Sequence, residues 1–171
     1  MDKNSRGIFV LRAFVGLGLA FAGFDKFFMW ATGKPFTAAG YLQFATGGSW
    51  LGSDAKTVVN PTHSFWVSLG QNASLVHLID TLVVFGEIAI GVALILGIAT
   101  RFSAVMGTIL MGMLFVSNWS FANGPFNEQA MYLVITAVIA YVGAGAYALD
   151  SIVTEKVPAL SRVPGIKYAL G

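Results

Sequence analysis

Cysteine is absent from the chain and charge is scarce, with 8 acidic and 10 basic residues in 171. Without cysteine there is no disulfide, thiolate metal site, iron–sulfur cluster or thiol redox chemistry within the chain. Histidine occurs only at His63 and His77. A bis-histidine haem inside a membrane is therefore not expected, and a metal site is a poor reading. A soluble domain carries roughly a quarter charged residues; here the figure is 11%, too few to solvate a surface. The formal net charge of +2 comes with no Lys/Arg cluster, which argues against nucleic acid as a partner.

Apolar residues are what the chain has in excess: 56% of it is hydrophobic, and mean hydropathy is +0.74. A helix crosses a bilayer with about 20 apolar residues, and four stretches reach that length: about 8–30, 75–96, 102–121 and 131–149. The first is longer than the apolar core of a signal peptide and is read as a retained helix. The expected fold is all-α, a single polytopic four-helix membrane bundle over residues 1–171, with a long first extracytoplasmic loop at 31–74. Within that loop Phe36 to Trp50 is aromatic but broken by glycine, suited to an interfacial or re-entrant segment, and Trp66 marks a second short apolar stretch.

Basic residues gather on one side of this arrangement. Lys3 and Arg6 precede the first helix, Arg101 lies between the second and third, and Lys156, Arg162 and Lys167 follow the fourth. The positive-inside rule then places both termini in the cytoplasm of a multi-pass cell-membrane protein. Gly16, Gly23, Gly86, Gly91, Gly107 and Gly112 suit close helix packing in lipid, although glycine is also common in such helices.

Ionisable residues within a span are costly and are therefore candidates for function. Steps of three and four residues put Arg12, Gly16, Leu19, Gly23 and Lys26 on one face of the first helix. His77, Asp80, Val84, Glu87 and Gly91 share one face of the second. Counting from the helix ends matches Lys26 with Asp80 in depth, and leaves Arg12 to pair with Glu87. The competing readings are that such pairs only fix helix register, that Arg12 snorkels, and that Glu128 only complements a helix dipole. A site is expected from Lys26, His77, Asp80 and Glu128, with Asn118 at the same level. Trp30, Trp50, Trp66 and Trp119 fall near the outer interface, where a flat ring can stack and where an ordinary aromatic belt also lies.

These residues resemble the DoxX-type membrane proteins. The similarity lies in Arg12, Gly16 and Gly23-x-x-Lys26, in Gly86-Glu87 with Gly91, and in the run Leu96-Gly97-Ile98-Ala99-Thr100-Arg101. Glu128 at the start of the last helix, and Gly143-Ala144-Gly145 with Asp150 at its end, extend it. The long first loop with Gly40-Tyr41-Leu42 resembles the DoxD branch, taken as the large subunit of thiosulfate:quinone oxidoreductase. The resemblance implies a four-helix membrane subunit of a quinone-linked oxidoreductase, with quinone as substrate and with lipid and other membrane subunits as partners. It makes Lys26, Glu87, Arg101 and Glu128 the candidate polar positions. The alternative is a non-catalytic accessory subunit of a larger respiratory-type complex; a transporter is more remote, because no inverted repeat is visible.

Overall fold

A computed structural model describes residues 3–44, 60–118, 126–156 and 166–170, which are helix, turn or loop without a strand. In chain order the helices are α1 (Lys3–Ala31), α2 (Ala39–Phe44), α3 (His63–Gly70), α4 (Ala73–Leu96), α5 (Thr100–Asn118), α6 (Glu128–Val142), α7 (Leu149–Lys156) and α8 (Ile166–Ala169). Helices α1, α4 and α5 are each long and apolar enough to cross a membrane. At 1.5 Å per residue, α6 with its 15 residues reaches about 22 Å, short of a bilayer core of about 30 Å.

The ends of the helices follow from local chemistry. The Asn72 side chain accepts the Ser74 and Leu75 amides at the start of α4, and Gly97 ends that helix at φ 68°. Asn127 caps α6 by accepting the Ala130 amide at 2.9 Å. The span expected at 131–149 is therefore displaced: its helix starts at Glu128 and stops at Val142. Gly143, Gly145 and Tyr147 all take positive φ, and the turn they make buries Ala144, Ala146 and Ala148 without helix. The third span, expected to reach Phe121, is helical through Asn118, and Phe121 lies outside the described residues.

Two antiparallel pairs, α1 with α4 and α5 with α6, make the body of the fold, and α4–α5 and α1–α6 contacts join them. Glycine sets the first pair. A Cβ on Gly16 would lie 2.8 Å from the Gly91 carbonyl oxygen, and one on Gly91 would strike the backbone of Gly16 and Ala20. Gly107 and Gly112 face the Thr136 and Leu133 side chains of α6, where a Cβ would lie 3.2 and 3.3 Å away, whereas Gly86 faces open space. Gly86 thus leaves the set of packing glycines. The shared core of Val15, Leu19, Leu94, Ala104, Met111 and Ile139 lies between the pairs.

The outer faces are apolar: Phe21 is 77% exposed, and Phe14, Leu17, Phe28, Leu82, Phe85, Ile109 and Val134 are also exposed. A belt of this extent is incompatible with water and natural in lipid. The chain is a membrane protein. Across the end where α1 finishes and α4 begins, α2 and α3 pack together and bury Ala38, Leu42 and Trp66 with Val76 of α4. We refer to this as the loop end, and to the opposite one as the terminal end.

Candidate functional site

The slide between α1 and α4 decides which charges meet. Gly16 faces Gly91 and Gly23 faces Glu87 and Ile88; the next turn of α1 then brings Lys26 level with Glu87. Lys26 Nζ donates to Glu87 Oε2 at 2.6 Å and to the Ala22 carbonyl at 3.3 Å. The Glu87 side chain is 5% exposed and that of Lys26 21%. The ammonium also lies 5.5 Å from the centre of the Phe36 ring, within the range of a cation–π contact.

Neither pairing obtained by counting from the helix ends occurs. Asp80 lies seven residues before Glu87, about 10 Å nearer the loop end. Its Oδ1 accepts the Ala38 backbone N–H at 2.6 Å, so it tethers the segment leading into α2. Arg12 is fully buried at the terminal end, where Nη2 donates to the Ala146 and Tyr147 carbonyls, both at 3.1 Å. Its balancing carboxylate is Asp150, which also accepts the Ala99 and Thr100 amides at 2.7 and 2.8 Å and so caps α5. Helix ends are a poor ruler here because the glycine contacts, not the ends, fix the slide.

Between the two pairs, on the loop side of the core, is a cavity of about 360 Å³. Gly18, Ala22 and Lys26 of α1, Val83 and Glu87 of α4, Leu110, Met113 and Leu114 of α5, and Glu128, Gln129 and Tyr132 of α6 line it. Phe36, Tyr41 and Trp66 close it from the loop end. The Tyr41 hydroxyl lies 2.9 Å from the Ser117 hydroxyl, and burial raises its pKa above the ordinary phenol value, so it remains a neutral donor. Trp30 Nε1 donates to the Phe36 carbonyl at 3.0 Å, and Gln43 holds α3 through the Gly70 carbonyl at 2.8 Å.

Of the residues singled out from the sequence, Lys26, Glu87 and Glu128 are brought to one cavity. His77 is exposed on α4 and its carbonyl accepts the Thr81 hydroxyl. Trp30 packs its ring on Phe85 and serves the loop-end cover. Asn118 ends α5 away from the cavity lining. Arg101 donates at 3.4 Å to the Val142 carbonyl at the terminal end. Trp50 and Trp119 lie outside the described residues. Sequence reasoning missed Gln129, Tyr132 and Tyr41. The available signal was the Glu128-Gln129-x-x-Tyr132 spacing, which places three polar groups within one turn.

Such a cavity has an apolar wall, one ion pair set into it and several hydrogen-bonding groups at its rim. It suits a flat, mostly apolar ligand with a few polar atoms. The profile of a family described as "TQO small subunit DoxD" matches residues 56–169, two thirds of the chain. The matched stretch includes Glu87, Arg101, Glu128 and Asp150 but begins after α1, so Lys26 is contributed from outside it. That description names a small subunit, which corrects the large subunit implied by the resemblance. No curated protein and no solved structure matches the chain. The chain belongs to the DoxD family.

Proposed function

We propose that the chain is the membrane subunit that holds quinone in a quinone-linked oxidoreductase, with the quinone head in the cavity between the helix pairs. The observation that carries this reading is the Lys26–Glu87 ion pair in the wall of a mostly apolar cavity. A quinone ring is apolar and neutral, and its oxygens only accept hydrogen bonds. When it takes two electrons, negative charge develops on those oxygens, and the Lys26 ammonium offsets it in a low-dielectric setting. Two protons must follow to give the quinol. Glu87 at the ammonium and Glu128 at the cavity rim are the carboxyl groups placed to pass them.

Thiosulfate is the electron donor that the family's description favours. Two thiosulfate anions join through a new S–S bond to give tetrathionate and release two electrons, which balances reduction of one quinone. In this reading α6 crosses the membrane as the fourth span, its short helix completed by the turn after Val142. The termini lie in the cytoplasm, because Lys3, Arg6, Arg101 and Lys156 collect at the terminal end. Other membrane subunits and lipid cover the exposed apolar faces. Reporters fused at Arg101 and after Gly171 should both read cytoplasmic, and one at Asp54 external.

The test is thiosulfate-driven reduction of decylubiquinone by the gently extracted complex, measured alongside its integrity by size exclusion. Lys26→Met should lower kcat by about a hundredfold, comparable to removal of one preorganised charge-stabilising donor. Glu87→Gln, which keeps the shape of the wall, should be slowed and remain assembled. An intact wild-type complex that reduces no quinone with any sulfur donor would sink the oxidoreductase reading and leave the accessory-subunit one.

A further inference from the structure

The first turn of α6 is unusually polar for the wall of a membrane cavity. Asn127 uses its side chain to cap the helix, but Glu128, Gln129 and Tyr132 all line the cavity. Among the described residues none of these three side chains has a hydrogen-bond partner. Glu128 is exposed and Gln129 and Tyr132 are half-buried, so their polar atoms remain open to a molecule in the cavity. Glutamate at a helix start has a role in complementing the dipole; a tyrosine one turn further on has none.

Tyr132 is also held in a defined orientation. Its ring lies parallel to that of Phe14, with centroids 6.5 Å apart and planes 8° apart. Its hydroxyl sits over Gly18 of α1, so close that a Cβ at that position would collide with it. Gly18 therefore makes the space that this hydroxyl occupies beside the cavity. The Lys26 ammonium reaches back to the Ala22 carbonyl, which places it about one helical turn, or 6 Å, along α1 from Gly18. Two fixed donors thus face one cavity from different heights. A molecule with two acceptor oxygens on one ring can take a hydrogen bond of about 2.8 Å from each donor.

We infer that Tyr132 is the second donor to the bound head group: its hydroxyl holds a carbonyl oxygen other than the one held by Lys26. This rests on the quinone reading above and adds the orientation of the ring, from the Lys26–Glu87 wall at one end to α6 at the other. Gln129 and Glu128 flank the second oxygen on the rim side.

The probe is decylubiquinone carrying carbon-13 at one carbonyl or the other, bound to the purified complex and followed by infrared difference spectroscopy. In the wild type both carbonyl bands should fall below their positions in the free quinone. Tyr132→Phe should return one labelled band to the free position, leave the other lowered, and weaken binding about five- to tenfold, the loss of one neutral hydrogen bond. Lys26→Met should release the other band. Gly18→Ala, which retains the phenol but pushes it aside, should move the same band as Tyr132→Phe and serves if that variant does not fold. Decylubiquinone bound to the wild type with only one band lowered, or with both bands unchanged by Tyr132→Phe and Gly18→Ala, overturns the Tyr132 assignment alone. Failure of the wild-type complex to bind decylubiquinone overturns the quinone reading itself and this assignment with it.

Discussion

The Asp80 carboxylate, 7% exposed, accepts the Ala38 amide at 2.6 Å, so a charge on α4 holds the cover of the cavity in place. Removing it frees a buried backbone N–H as well as the segment that carries Phe36. Asp80→Ala should destabilise the cover by about 1.5–3 kcal/mol, the range for a hydrogen bond to a charged group. Amide exchange at Ala38 through Phe44 should accelerate while exchange in α5 does not change. Asp80→Asn keeps an acceptor and should lose less.

Lys26 and Glu87 should behave as one unit. Lys26→Ala leaves a buried carboxylate uncompensated, at a cost of about 3–5 kcal/mol where the site is dry. Combining it with Glu87→Ala should recover much of that loss in a detergent melting series. Combining it with Asp80→Ala should give additive losses, because Asp80 has a different partner.

Glycines of the same helix should differ sharply. Gly91→Ala drives a methyl into the α1 backbone and should cost about 1–3 kcal/mol or more through overpacking. Gly86→Ala points its methyl at open space and should leave the melting temperature unchanged or slightly raised, since alanine favours helix. Equal effects at both positions would contradict the close α1–α4 contact.

Asp150 combines a helix cap with a counter-charge. Asp150→Ala removes the acceptor of the Ala99 and Thr100 amides and leaves the Arg12 guanidinium with backbone carbonyls alone. The expected loss is about 2–4 kcal/mol, read from thermal melts. Asp150→Asn should retain part of the cap and fall between.

Much of the fold was legible because lipid demands long apolar helices, and α1, α4 and α5 are such helices. The site was legible in part: Lys26, Glu87 and Glu128 stand out as ionisable groups in apolar stretches. Their pairing was not, because the slide of α1 on α4 depends on where Gly16 and Gly91 touch, a contact between distant segments. Asp80 appeared to match Lys26 only while the helix ends were used as the reference. The early end of α6 was written in Gly143 and Gly145, whose positive φ angles break the helix despite continued hydropathy. Tyr132 was hidden because an aromatic residue in a membrane helix ordinarily reads as part of the lipid-facing belt.

The Gly16–Gly91 contact lies toward the terminal end of α1 and α4, while Lys26, Val83 and Glu87 of the cavity lining lie farther toward the loop end of the same two helices. Gly16 and Gly91, with Arg12 and Asp150 beyond them, fasten the terminal half; Val83, Leu110 and Met113 shape the space in the loop half. Substitutions at Val83, Leu110 or Met113 therefore resize the cavity away from the Gly16–Gly91 seam. A chain built this way can change the size of its cavity over evolutionary time while that seam stays as it is.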